Sequence, residues 1–267
     1  MFVVKEYDLG KQKERIGYYQ EVVDAQIQAK NNITTREKGY KHELPDEEKF
    51  QLNQDRAISR AKTKIRRLAQ RFNMRYMWTL TFAETSVKTF NRVNGKESLY
   101  DTGNYDHVWR LWKSFLKRCS DNALVFDYIV TVEVQEQRYE EKGEKVYHFH
   151  FITNKVIPVN EAKARKSGKS FNMQSLWGHG HVFVTKKKSK KKLVHLYIVK
   201  YLAKLIDEMG SGRQRYRIAN GMVVPVEIIA FESHTEMFTS IDSINIVKSR
   251  YSLLGDSLEI FWCIYDE

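Results

Sequence analysis

The pentapeptide Tyr147-His148-Phe149-His150-Phe151 sets two imidazoles two residues apart in an aromatic-rich run. Such a composition favours a strand, and strand side chains alternate between faces. His148 and His150 are therefore expected on one side, with Tyr147, Phe149 and Phe151 on the other. Two neutral ring nitrogens that converge in this way can hold a divalent cation, with a carboxylate as third ligand and positions open to phosphate oxygens or water. A pair of exposed strand histidines is the plainer alternative. Glu133, an isolated acid in the apolar run IVTVEVQEQ, is the candidate third ligand, because carboxylates in apolar surroundings are tolerated chiefly when paired or metal-bound. A strand-end glutamate facing solvent would also fit.

A second constellation lies in LVHLYIVKYLAKLI, where Tyr197, Lys200, Tyr201 and Lys204 follow one another at helical steps of three and four. These four align on one stripe of an α-helix whose remaining circumference is apolar, so the helix is expected to be mostly buried with its polar stripe turned toward a site. Tyrosine can attack phosphorus when a cation lowers the cost of forming the phenolate, and Lys200 and Lys204 offer positive charge for that. Two tyrosines edging a core, with lysines reaching past them to water, are the alternative.

Two further features surround this helix. His179 and His181 form another pair, but Gly178 and Gly180 flank His179 and weaken any rigid strand platform, so the first pair is preferred for a metal and these two are left to structural or DNA-contacting roles. The run KKKSKKK supplies Lys186, Lys187, Lys188, Lys190, Lys191 and Lys192 just before the helix. It is either a solvated loop or a grip on a phosphate backbone without sequence preference.

These residues need elements to position them. From Asp46 to Phe72, Ala57, Ala61, Ile65, Leu68 and Phe72 recur at helical steps, with Arg56, Arg60, Lys64, Arg67 and Arg71 outside the stripe, which predicts a basic amphipathic helix. Tyr76 to Phe82 reads as a core strand. Asp106 to Cys119 reads as a helix packed on a sheet, with Arg118 among its outward charges. Phe126 to Val134 and Lys145 to Ile152 read as a hairpin joined by a charged connection with Gly143 near the turn. Met222 to Phe231 is expected as a strand and Ser243 to Leu254 as a helix, while residues 1–45 carry no clear pattern. This order predicts an α+β fold with an antiparallel sheet and helices packed on it. The expected division is an N-terminal segment at 1–72, a core at 73–210 and a C-terminal extension at 211–267.

The chain has 267 residues and a formal charge of +12, from 45 Lys and Arg against 33 Asp and Glu. A surface of that sign attracts polyanions, and with no apolar run long enough to span a bilayer, nucleic acid is the expected partner rather than a membrane. The start, MFVVKEYDLGKQKER, is too short in apolar residues for a secretory signal, which points to the cytoplasm. Cys119 and Cys263 lack partners at metal-ligand spacing and read as buried thiols in a reducing compartment.

Taken in order, the motifs resemble rolling-circle replication initiators of the HUH endonuclease superfamily, of the phage and plasmid type. WTLTF, Trp78 to Phe82, looks like the first motif. Glu133 and Gln135 followed by His148 and His150 resemble the metal-binding motif, and Trp177 through Val182 resembles a tryptophan and glycine element before the third. YIVKY, Tyr197 to Tyr201, is similar to the third motif. The resemblance covers roughly residues 76 to 206. It implies a central five-stranded antiparallel sheet, an RRM-like palm, and a Mg or Mn ion. It also implies a nicking and rejoining activity on single-stranded or hairpin origin DNA through a 5′-phosphotyrosine, in a bacterial host cell. Tyr201 is then the nucleophile, with Tyr197 as a second one in a two-tyrosine scheme. The freed 3′-hydroxyl would serve a DNA polymerase, and because no GxxxxGK loop is present, unwinding would fall to a host helicase. A transposase or mobilisation relaxase would use the same chemistry, although relaxases commonly place the tyrosine before the histidines. A non-catalytic DNA-binding regulator is the alternative of another class.

Overall fold

The computed structural model describes residues 2–19, 46–83, 85–90, 97–186, 196–201, 216–232, 236, 239–240, 246–254 and 258–266. The chain divides into two units: Met1–Ala57, Gln70–Phe72 and Val223–Glu267 form one, and Ile58–Ala69 and Asn73–Met222 form the other. Among the described residues no helix is long and apolar enough to cross a membrane.

The strands are β1 (Phe2–Asp8), β2 (Gln12–Tyr19), β3 (Tyr76–Leu80), β4 (Ser86–Phe90), β5 (Glu97–Asp101), β6 (Tyr128–Val134), β7 (Tyr147–Thr153), β8 (Val182–Lys186), β9 (Tyr216–Ile218), β10 (Val226–Phe231), β11 (Ile246–Leu254) and β12 (Leu258–Asp266). The helices are α1 (Asp46–Arg71), α2 (Tyr105–Asp121), α3 (Glu136–Lys142), α4 (Glu161–Lys166), α5 (Met173–Trp177) and a helical segment, α6, at 196–201. The architecture is α+β, and the central sheet of the second unit is five-stranded in the order β8-β3-β7-β6-β9, antiparallel throughout.

One face of that sheet is the core. α2 starts where the Asn104 side chain accepts from the backbone N–H groups of Asp106 and His107, satisfying donors the first helical turn leaves unpaired. Val108, Leu111, Trp112 and Phe115 follow at helical spacing and are all buried. They meet the alternate residues of β7: Trp112 lies 5.1 Å from Phe149 and 5.2 Å from Phe151, and Trp109 lies 5.4 Å from Phe149, ring centre to ring centre. Cys119 is buried in the same core and unpaired, and burial pushes its thiol up to about 12.

The expected β6–β7 hairpin is present, but α3 fills its connection and is closed by Gly143 in the left-handed conformation. A length that looks excessive for a turn is thus absorbed without disturbing the pairing of the two strands. Ser243 to Leu254 is a correction, since its described residues 246–254 are not helical but form β11, paired with β12. Ile246, Val247 and Tyr251 suit a pleated strand, and the partner that satisfies its backbone lies beyond a turn in sequence that periodicity in one segment does not reveal. β1 and β2, from the segment without clear pattern, join β10, β12 and β11 in the other unit's sheet, in the order β10-β1-β2-β12-β11. There Glu6 is buried and accepts from Arg15 at 2.6 Å and from the Tyr265 hydroxyl at 2.5 Å. Burial alone would raise its carboxyl, yet these donors hold it below the usual range.

The tryptophan and glycine element forms a corner of the second unit. Gly178 ends α5 at a φ of 70°, and Trp177, fully buried, donates its indole N–H to the carbonyl of Thr81 at 2.8 Å. Gly180 lies so close to β3 that an added Cβ would sit 2.2 Å from the Thr81 oxygen. Arg118 is not an outward charge, because the carbonyls of Leu176 and Trp177 at the end of α5 accept from it at 2.6 and 2.9 Å. It also lies 3.3 Å from His179 Nε2. Burial first, and the Arg118 charge second, lower His179 from 6.5 to about 4. His179 is therefore a neutral acceptor in a structural corner. Its folded pKa is depressed, so its contribution to stability is complete above about 6.5 and is lost as pH falls toward about 4. Urea midpoints measured across this window should fall more steeply for the wild type than for His179→Gln; parallel curves would contradict the assignment.

Candidate active site

The opposite face of the same sheet carries the chemistry. Because Phe149 and Phe151 point into the aromatic core, His148 and His150 emerge together on the other side. Glu133 lies directly across from His148 in the β6–β7 register and reaches the same point. Its Oε2 is 3.0 Å from His148 Nε2 and 2.9 Å from His150 Nε2, and the two ring nitrogens are 2.9 Å apart. Glu133 and His150 are only 8% and 4% exposed. The three residues brought together are the proposed metal-ligand set.

Hydrogen bonding alone satisfies this triangle poorly. If both imidazoles donate to the carboxylate, their two N–H groups face one another; if one instead accepts from its neighbour, its own contact with the carboxylate is left without a proton. A cation removes the conflict by meeting a lone pair from each corner. Three ligands on one face of an octahedron, each about 2.1 Å from the ion, lie about 3.0 Å apart, which is the spacing observed. Two imidazole nitrogens and one carboxylate oxygen on a single face also leave the far positions open. The residues present thus fit a divalent ion.

Support comes from the neighbouring strands. Thr79 and Thr131 flank His150 on either side in the register, and the Thr79 hydroxyl is 3.1 Å from His150 Nδ1. A hydrogen bond at Nδ1 fixes the ring and, if the ring donates it, leaves the Nε2 lone pair facing the site. Neither threonine was among the sequence candidates. The available signal was the strand period, since Thr131 sits two residues before Glu133 and so shares its face. Tyr216 on β9 pairs with Thr131 on this face, and burial raises its phenol.

α6 places Tyr201 against this group. Its ring stacks on His150 with centroids 3.7 Å apart and planes within 4°. Ile198, one turn earlier, is fully buried, so these two share the inward side of the segment. Tyr197 is 42% exposed and Lys200 is exposed. The four-residue stripe is therefore divided, with Tyr201 at the histidines and Tyr197 and Lys200 toward water. Lys186 is the last residue of β8; Lys187, Lys188, Lys190, Lys191, Lys192 and Lys204 lie outside the described residues.

Residues 75–206 match the family model of the ORF2-type replication-associated protein, a span that holds the triad, both tyrosines and the tryptophan corner. The match agrees with the resemblance to rolling-circle replication initiators read from the motifs. No curated protein and no solved structure matches the chain.

The fit to a divalent ion has a direct readout. Mn at about 100 times its dissociation constant should stabilise the protein by about 2.7 kcal/mol, raising the midpoint of the unit that binds it by about 5 to 10 °C. Glu133→Gln keeps the shape of the side chain and should remove most of that shift in differential scanning calorimetry. An unchanged Mn response in Glu133→Gln would contradict the ligand set.

Proposed function

Taking the replication-associated family as the premise, we propose that this chain starts rolling-circle DNA replication by nicking one strand at an origin through attack of Tyr201 on a backbone phosphate. The observation that carries this reading is the stacking of Tyr201 on His150, which sets a phenol beside the two-histidine, one-carboxylate group. A buried group of that composition needs no tyrosine beside it for stability alone, whereas phosphoryl transfer needs a nucleophile within reach of the polarised phosphate.

The chemistry follows from the groups available. The Tyr201 oxygen attacks phosphorus in line with the 3′ oxygen, and the bond to that oxygen breaks. The phenolic proton is lost to solvent, and the departing oxygen becomes a 3′-hydroxyl after taking up a proton. The product is a 5′-phosphotyrosine, and attack by a 3′-hydroxyl on this linkage reverses the step and rejoins strands. A Mg or Mn ion held by Glu133, His148 and His150 would supply Lewis-acid polarisation of the scissile phosphate. Glu133 and the two histidines would fix its position, and Thr79 would hold the His150 ring in the orientation that keeps Nε2 on the ion.

Lys200, exposed on the same helical segment, is assigned to neutralising the incoming phosphodiester along with Lys204 and the lysines between Lys186 and Lys192. Tyr197, one turn from Tyr201, would serve as second nucleophile if strand release uses two tyrosines. Host helicase and polymerase would complete replication around the freed 3′-hydroxyl, in the cytoplasm of a bacterial cell.

Incubation with a random pool of single-stranded DNA and Mn, resolved on denaturing gels, tests the reading. Wild-type protein should give a band shifted by covalent DNA that chelator abolishes, and Tyr201→Phe should lower it by at least about 10³-fold. His148→Ala and His150→Ala should lose the adduct while retaining DNA binding. Abundant adduct in Tyr201→Phe would move the nucleophile to Tyr197, and tight DNA binding with no adduct under any divalent metal would favour a regulator.

A further inference from the structure

The site face does not stop at the metal-ligand set. β3 separates β7 from β8, and Phe183 on β8 lies directly opposite Thr79, the residue whose hydroxyl contacts His150. Strand parity sends Phe183 to the same face as the histidines, while its neighbours Val182 and Val184 turn toward the core side shared by Trp78 and Leu80. Two inter-strand spacings, about 10 Å, separate the Phe183 and His150 positions.

Phe183 is nevertheless 59% exposed. His181, two residues earlier on the same face, is exposed as well, and their rings lie 6.4 Å apart. The backbone beneath them is fixed. Thr81 N–H donates to the His181 carbonyl at 3.0 Å, and His181 N–H donates to the Thr81 hydroxyl at 3.2 Å. An exposed phenylalanine alone is ordinary on a protein surface. This one sits on a rigid edge strand, beside a second flat ring, on the face that carries the phosphate chemistry, in a chain of charge +12.

We propose that Phe183 and His181 form a stacking platform for a base of the strand being cut, a nucleotide or two away from the scissile phosphate. This deepens the nicking reading and rests on it for its biological meaning. The occupant is single-stranded DNA, because a base held inside a duplex has both faces covered and cannot lie on an external ring, whereas an unpaired base gains apolar contact there. β8 leads in sequence into the lysine run that begins at Lys186, so base contact and backbone charge would lie in succession along the chain. Stacking tolerates any base, which makes this platform a selector for strandedness and register, with sequence choice left to other contacts.

The test uses the full chain in chelator, so that no cleavage occurs and the result does not depend on nicking. Fluorescence anisotropy would compare an oligo(dT) of about 12 nucleotides with an abasic strand of equal length, matched to the usual footprint of single-strand sites. Wild-type protein should prefer oligo(dT). Phe183→Ala should weaken oligo(dT) binding by about 5- to 100-fold and leave abasic binding unchanged, and Phe183→Trp should restore the preference. Equal binding of both strands by the wild type, or equal losses on both strands in Phe183→Ala, would overturn the platform. Either result leaves the adduct assay free to stand, and an absent adduct with the expected anisotropy would remove the nickase reading alone.

Discussion

Everything in this molecule's chemistry depends on how β7 is held. One strand serves two purposes, with Phe149 and Phe151 driven into the aromatic core against Trp112, Phe115 and Trp177, and His148 and His150 projected from the opposite face. Each buried aromatic removes on the order of 150–250 Å² from water, and favourable ring pairs add about 0.5–1.5 kcal/mol beyond that. Those terms fix the strand against both rotation and slippage. A slip of one residue would carry the imidazoles into the core and the phenyl rings to the site, so the packing of α2 that stabilises the fold also enforces the direction of the ligands.

Precision at the site follows from the same rigidity. Three polar atoms held 2.9–3.0 Å apart form an arrangement that protons alone satisfy badly, and flexible side chains would relax away from it. Here the carboxylate comes from one strand and the imidazoles from its antiparallel neighbour, with Thr79 steadying one ring from a third. The two histidine pairs of this chain show how strongly surroundings decide the role of a residue type. His150 lies on a regular strand with its ring nitrogen in the ligand triangle, whereas His179, between two glycines and beside Arg118, is kept neutral in a corner that joins α5 to β3.

Much of this site was legible because its signals are local. A period of two places His148 with His150, and an acid in an apolar run marks Glu133; neither inference needs the fold. The helical stripe was legible only in part, because spacing groups Tyr197 with Tyr201, while packing against the sheet separates an exposed ring from one stacked on His150. Long-range pairings were not legible. β1 is hydrogen-bonded to β10 more than 200 residues later, and the helix expected at Ser243 to Leu254 is a strand where described because β12 satisfies it. Arg118 looked like a surface charge because its acceptors, the carbonyls of Leu176 and Trp177, leave no mark in side-chain periodicity. The strand-to-strand length between Gln135 and His148 misleads in the same way, since a short helix rather than a turn occupies it.

The most direct test of the account is to digest the covalent protein–DNA complex with nuclease and protease and to locate the remaining nucleotide by mass spectrometry. The account predicts a single nucleotide joined through its 5′-phosphate to the peptide containing Tyr201, with fragmentation assigning it to that side chain. A nucleotide on any other residue of a one-step reaction, or a protein that cleaves DNA without retaining one, would contradict it.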